Sequence, residues 1–403
     1  MSKHLGPTAF TRFRSTAPFS LKLSVCEEKF RQQPDGSKDY FTRNKVLRQQ
    51  LSAAGGAARV MMEGVRFETL PVEQWGRDFG RQRVMFVLPS DALGDCVGVV
   101  LFLRAFRSRF PDVRVTVANT GGATDIFGRE AGITVLPLVI SAKELARHFP
   151  IIDLGEVDGW DAVVTQPVDV EAVLLNRFQL DPVAVPVRPV GPSPRIGILP
   201  MASSPLRTLP PMVTAALADA LKAKGQISVV LNAYQGCKIA YEKLLRANLP
   251  EGVQIIDGFA TTHKLLDFMD GLDFVAACDS GPAHLTKLFG TAGTAIYTSA
   301  AGDVLQGRHR NLGLWQVPYG GDFCTAPCGL AKVRATADGE VGCMGSLKRP
   351  LAELPRLPNE ALPGVVEKLM TTDFIPCAAE LVRRKDEVAA FAVDRFDRAA
   401  AAS

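Results

Sequence analysis

The sequence predicts an α/β protein of two successive domains, each a parallel sheet wrapped by helices, with an N-terminal extension. Three observations carry that prediction. From residue 84 onward, short apolar runs alternate with helical stretches, the pattern of a parallel sheet covered on both faces. The alternation halts at DPVAVPVRPVGPSP (181–194), where five of fourteen residues are proline and the chain must be stiff and extended. It then restarts, and 403 residues are enough for two or three domains.

Residues 1–80 mix polar runs with short segments such as 58–62 and 65–70, and predict an extension with a few strands. The first α/β domain, 81–190, opens with the apolar strand VMFVL (84–88) and the loop PSDALGD. A helix over 96–110 follows, closed by Pro111. Strands are expected at 113–118, 133–138 and 160–164. After the bridge, the second domain, 195–370, repeats the pattern, with strands at 195–199, 227–231, 253–256 and 274–278. Helices fall at 211–224, 238–247 and 264–269. The closing segment, 371–403, is expected to be a helix packing back on the first domain.

Composition excludes several classes. Hydrophobic content of 47% with 22% charge is ordinary for a globular chain with a large core. A net charge of +4 is too small and dispersed for a dedicated nucleic-acid binder. No apolar run approaches the roughly 20 residues that span a bilayer, and the basic start lacks a continuous apolar stretch of signal type. Eight cysteines in 403 residues do not make a disulfide scaffold, so a reducing cytoplasm is the expected compartment.

Three loops at strand ends carry chemistry. In CDSG (278–281), Ser280 or Gly281 is suited to cap a helix, Pro282 to its first turn, and Gly290 to its end. Asp279, Ser280 and Gly281 could hold a diphosphate through hydroxyl and N–H donors, with His284 on the first helical turn. In PSDALGD, Asp95 precedes a helix; it is either a plain N-cap or an ionised base, with Asp91 its rival. In LPMASSPLRTLPP (199–211), Ser203 and Ser204 offer hydroxyls and Arg207 a permanent positive charge. Open α/β sheets bind ligands beyond the C-terminal ends of their strands, where all three loops sit.

Two segments, LPSDALGDCVGVVLFLRAFRSRFPDVRVTV and LDFMDGLDFVAACDSGPAHLTKLFGT, resemble the bacterial heptosyltransferases of glycosyltransferase family 9. The likeness rests on Gly-Asp before the first helix, Asp-Ser-Gly-x-x-His-Leu in the second domain, and Arg207 ahead of Leu209-Pro210. It covers about 84–347 and not the first 80 residues. It implies a GT-B fold, two Rossmann-like domains facing a cleft, with acceptor on the first and sugar nucleotide on the second. It implies inversion at the anomeric carbon without a catalytic metal. Asp95 then corresponds to the base, Arg207 to the residue neutralising the diphosphate, and Asp279, Ser280, Gly281 and His284 to the donor motif. ADP-heptose is the family's usual donor. A cell-envelope glycan or protein is the implied acceptor, as in lipopolysaccharide biosynthesis, and the implied place is the cytoplasm or the inner face of the inner membrane. Where the family continues Phe-Gly-Pro-Thr, this chain has Tyr297-Thr298-Ser299-Ala300. A sugar-nucleotide epimerase and an idle nucleotide-sugar-binding assembly protein are the competing readings.

CTAPCGLAKVRATADGEVGCM (324–344) gathers Cys324, Cys328 and Cys343, and Cys377 is the only later cysteine. Thiolates at this spacing can bind zinc or iron tetrahedrally. A branch of the family that heptosylates autotransporter proteins is similar in having an N-terminal extension and a four-cysteine iron site. Any metal here is expected to be structural rather than catalytic.

Overall fold

The computed structural model describes residues 9–14, 19–22, 27–30, 39–42, 48–49, 61–66, 70–88, 90, 92–119, 122–156, 168–231, 235–355 and 368–402. The chain divides into two compact units, Met1–Trp160 with Val170–Val183, and Asp161–Asp169 with Ala184–Ser403.

The first unit contains β1 (Ala9–Arg14), β2 (Phe19–Lys22), β3 (Glu27–Phe30), β4 (Asp39–Thr42) and β5 (Met61–Arg66), followed by β6 (Arg83–Val87) and α1 (Leu93–Arg109). It continues through β7 (Arg114–Ala118), β8 (Ile133–Leu136), β9 (Ile140–Ser141), β10 (Ile151–Asp153) and α2 (Val170–Phe178). A parallel sheet runs β10-β6-β7-β8, with Val87 opposite both Ala118 and Asp153. Residues 96–103 of α1 are all buried, as a helix apolar on every side requires. Its Phe102 and Phe106 pack with Phe86 and with Phe178 of α2, the Phe102 and Phe178 rings lying 4.7 Å apart.

The boundary expected at residue 80 does not hold. Trp75 and Phe79 are fully buried in that same aromatic cluster, stacking on Phe178 and Phe106. An antiparallel sheet, β5-β1-β4-β9, joins early strands to residues 140–141. Its Phe10, Phe13, Tyr40 and Phe41 share a core with Met85, Val87 and Ala118. Apolar side chains on those strands had to be covered, and the first parallel sheet supplies the cover. The strand expected at 160–164 lies outside the described residues; β10 pairs beside β6 instead.

The second unit begins with β11 (Arg195–Leu199), α3 (Pro211–Leu221), β12 (Gln226–Val230), α4 (Gln235–Arg246) and β13 (Gln254–Ile256). Next come α5 (Thr262–Asp270), β14 (Phe274–Cys278), α6 (Gly281–Phe289), β15 (Ala292–Tyr297), α7 (Gly302–Gln306) and β16 (Leu312–Gln316). The chain closes with β17 (Arg334–Ala335), β18 (Val341–Gly342), α8 (Pro376–Arg383) and α9 (Lys385–Ala401). Six parallel strands run β13-β12-β11-β14-β15-β16, the doubly wound order whose direction reverses between the first and fourth strands. Every residue of β14 and β15 is buried, hence their unbroken apolar or small composition.

Beyond residue 183 the proline-rich bridge belongs to the second unit. Arg188 N–H donates to the Gly290 carbonyl at 2.8 Å, and its guanidinium donates to the Leu272 carbonyl and the Thr291 hydroxyl. Gly290 ends α6 in the left-handed conformation, and a Cβ there would strike the Pro186 carbonyl, so glycine is required twice over. The closing helix has packing partners within its own unit. α9 lies against α3, β15 and β16, and Phe396 meets Phe274 at 5.2 Å in an edge-to-face contact. Its apolar stripe, Val388, Ala392 and Phe396, completes the second core.

Candidate functional site

In the first unit, the sheet order turns between β6 and β10, and the loop leaving β6 carries Asp95. The N-cap of α1 is Ala92, so Asp95 is no N-cap; it sits at the third helical position. Its Oδ2 accepts a hydrogen bond from the Ser90 hydroxyl at 2.5 Å. Ser90 Oγ in turn accepts from the Ala92 N–H at 3.1 Å. Asn119, buried at the end of β7, donates to the Ser90 carbonyl at 2.7 Å and the Leu88 carbonyl at 3.1 Å, and accepts from Thr124. The loop is therefore built to hold one carboxylate. Asp91 lies outside the described residues.

In the second unit, the reversal falls between β11 and β14. The loops leaving these two strands are those singled out above. Arg207 Nη2 donates to Ser203 Oγ at 2.8 Å, and Nη1 to Asp279 Oδ2 at 3.4 Å. Its Nε is buried without a hydrogen-bond partner. Asp279 is 2% exposed. Burial pushes its carboxyl above the usual range, against the pull of the Arg207 charge. Ser203, Arg207 and Asp279 thus come together around one ion pair.

Ser280 is the N-cap of α6, Gly281 opens the helix, and Pro282 occupies its first turn. The Ser280 hydroxyl turns back to the Cys278 carbonyl at 3.3 Å and leaves the helix start without a side-chain cap. Ser204 does not join its neighbours. It is buried, its Oγ accepts from the Leu206 N–H, and its carbonyl takes the Thr208 hydroxyl, so it shapes the turn that presents Arg207. The half-buried His284 has its ring enclosed; burial, then the Lys287 and Arg207 charges, push it down to about 3. It is a neutral imidazole at physiological pH. Cys278 is pushed up to about 12, chiefly by burial, so it is a protonated core thiol.

Thr298 and Ser299, beyond β15, lie on the same edge of the sheet. Thr298 bonds the Leu206 carbonyl, and Ser299 Oγ is buried without a partner. A largely apolar cavity lined by Pro205, Thr208, Met212, Leu244 and Met370 lies behind the Arg207 loop, and none of the predicted site residues lines it.

The four cysteines proposed as ligands are gathered. Cys377 is pushed up by burial and then by Cys328, Cys343 and Cys324. Cys324 accepts a backbone N–H from Gly345, and Cys328 one from Leu330. Cys343 caps a short helical turn over Met344–Leu347. Among the described residues, however, no group of three or more His, Cys, Asp and Glu side chains takes up metal-holding geometry. Cys26 lies outside the described residues, as does the side chain of Cys237.

No protein-family model matches the chain, and no curated protein matches it. Among solved structures, it is similar to the iron-containing dodecameric heptosyltransferase TibC of enterotoxigenic Escherichia coli, solved with ADP-D-beta-D-heptose. That match has 12% identity and TM-score 0.47, over 98% of this chain and 93% of that one. It is similar to the E. coli ADP-heptose lipopolysaccharide heptosyltransferase II, at 15% identity and TM-score 0.45, over 59% and 91%. A glycosyltransferase family 9 structure from Veillonella parvula matches at 11% identity and TM-score 0.48, over 60% and 87%. Each TM-score is below 0.5, so the functional reading below rests on the chain's own residues.

Proposed function

We propose that this chain is an inverting glycosyltransferase of GT-B type that moves heptose or a similar sugar from a nucleotide-diphosphate sugar to an envelope glycan or protein. The observation that carries the reading is the Arg207–Asp279–Ser203 network at the point where the second sheet reverses. A cation there, beside the uncapped start of α6, suits a diphosphate. The resemblance of the sequence to family 9 makes ADP-heptose the first donor to try.

In this mechanism Asp95 takes the proton of the acceptor hydroxyl as that oxygen bonds the anomeric carbon. The bond from that carbon to the diphosphate oxygen breaks on the opposite face, and the electron pair leaves with the nucleotide. Arg207 neutralises the developing charge; Asp279 fixes the guanidinium in place. Ser280 and Gly281 seat the phosphates, and His284, being neutral, can accept or donate one hydrogen bond without repelling Arg207. The chemistry is that of one base and one stabilised leaving group, with no metal required. Among the described residues no helix is long and apolar enough to cross a membrane; the reading places the work in the cytoplasm or on the inner face of the inner membrane.

The four thiols raise one another's pKa, and on this reading they would close around a structural zinc or iron, a geometry they do not hold as they stand. Metal analysis of the purified chain should find about one equivalent, lost in a Cys324→Ser, Cys328→Ser variant. Metal-free native protein ends that part of the reading.

Calorimetry with ADP-, UDP- and GDP-sugars tests the donor seat. Binding of one nucleotide class is the expected result, and binding of none overturns the transferase reading.

A further inference from the structure

Lys332 lies outside every motif that pointed to the donor seat, on a strap tied to the loops that form it. It stands on the strap that follows Cys328, and that strap is tied down at several points. Gly329 N–H donates to the Ser299 carbonyl at 2.7 Å, fixing the strap to the loop beyond β15. Leu330 is buried in the same small core as Leu206, the residue before Arg207. Thr298 clamps the Leu206 carbonyl, so the Arg207 turn, the β15 loop and the Lys332 strap are held to one another. Leu206 and Leu330 belong to one small apolar cluster, and Arg207 and Lys332 follow them closely along the chain. From this arrangement we infer that Lys332 is a second cationic ligand of the donor's diphosphate, working beside Arg207.

The inference rests on the transferase reading above and names a residue that reading does not use. Its electrostatics agree. Partial withdrawal from water, then the Arg207 charge, hold the Lys332 ammonium below the usual lysine range, although the residue as a whole is exposed. The same Arg207 charge acts on His284. Two titratable groups on separate elements thus sense one positive field, and a diphosphate between them would relieve it. Two cations also match a leaving group that bears more than one negative charge, which Arg207, already engaged with Asp279, covers only in part.

Isothermal calorimetry on the full chain provides the test, with ADP, adenosine and inorganic pyrophosphate as probes. Lys332→Ala should weaken ADP and pyrophosphate about tenfold and leave adenosine unchanged, as expected for one lost charge-assisted bond. Lys332→Arg should restore most of the ADP affinity. Unchanged adenosine binding doubles as the control that the seat still folds. If Lys332→Ala binds ADP as the native chain does while Arg207→Ala does not, the inference is overturned and the donor seat stands. If the native chain binds none of the nucleotide diphosphates, the seat and the inference fall together.

Discussion

The two units solve one topological problem with different side-chain supports. In each, a parallel sheet reverses direction, and the loop leaving its first strand carries the residue of interest: Asp95 after β6 and Arg207 after β11. Around Asp95 the Ser90 hydroxyl donates to the carboxylate and the Asn119 amide ties down the Ser90 carbonyl. The Arg207 loop is held by an ion pair with a carboxylate 2% exposed. In the proposed mechanism a general base must be aimed as well as charged, and the Ser90 hydrogen bond supplies that aim. A leaving-group seat must keep a cation oriented before the anion arrives, and a buried carboxylate does that.

The sharpest way to break the comparison is Asp95→Ala. Transfer should fall by about 10²–10⁴-fold while calorimetric donor binding is unchanged. Retained transfer would move the base elsewhere and leave the first loop as scaffolding. Arg207→Ala comes next, with a kcat loss of about 10²–10³-fold. Arg207→Lys should recover only part, because a point charge cannot reach both Ser203 and Asp279 in the planar fork that guanidinium provides. Full recovery by lysine would show that only charge matters in the second loop.

A smaller effect concerns stability. The His284 ring is held near 3 in the folded chain, against an ordinary value of 6.5. Between those values the unfolded chain binds more protons than the folded one, so stability is present above about 6.5 and lost as pH falls through the window. His284→Gln should lose less over that range in urea titrations. An equal loss would place the ring in water and take away its enclosed position beside Arg207.

Much of this was legible in the sequence. Apolar runs such as VMFVL and FVAAC declared their strands because both faces are buried, and Gly290 declared the end of α6 because only glycine fits there. The turns that carry Asp279, Ser280 and Arg207 were legible because tight turns at strand ends have compositional marks. Other features left no local mark. The N-terminal strands could not be assigned, since β1 pairs with β4 and β5 well along the chain, and β4 also pairs with the two-residue β9 about a hundred residues away. The helix at 385–401 has an apolar stripe, but a stripe does not name the sheet it covers. Asn119 ends a strand and supports a loop 29 residues earlier, a long-range role that no spacing announces. Ser204 misled for the opposite reason: a serine in a promising loop can spend its hydroxyl on the turn itself.

The finest test separates the two members of the side-chain support in the first unit. Ser90→Ala removes the donor to Asp95 and the acceptor for the Ala92 N–H, so the carboxylate loses its orientation while the strand ends are intact. Transfer should drop about tenfold in kcat with donor KM unchanged, and Ser90→Thr, which keeps the hydroxyl, should restore it. Asn119→Ala strands two carbonyls, one of them at the buried Leu88, and should cost about 1–3 kcal/mol of stability along with a similar loss of kcat. If Ser90→Ala instead lowers Tm without touching kcat, the hydroxyl serves the turn alone. The first loop would then resemble the second in needing its ties for folding, and the Ser90 bond to Asp95 would have no bearing on catalysis.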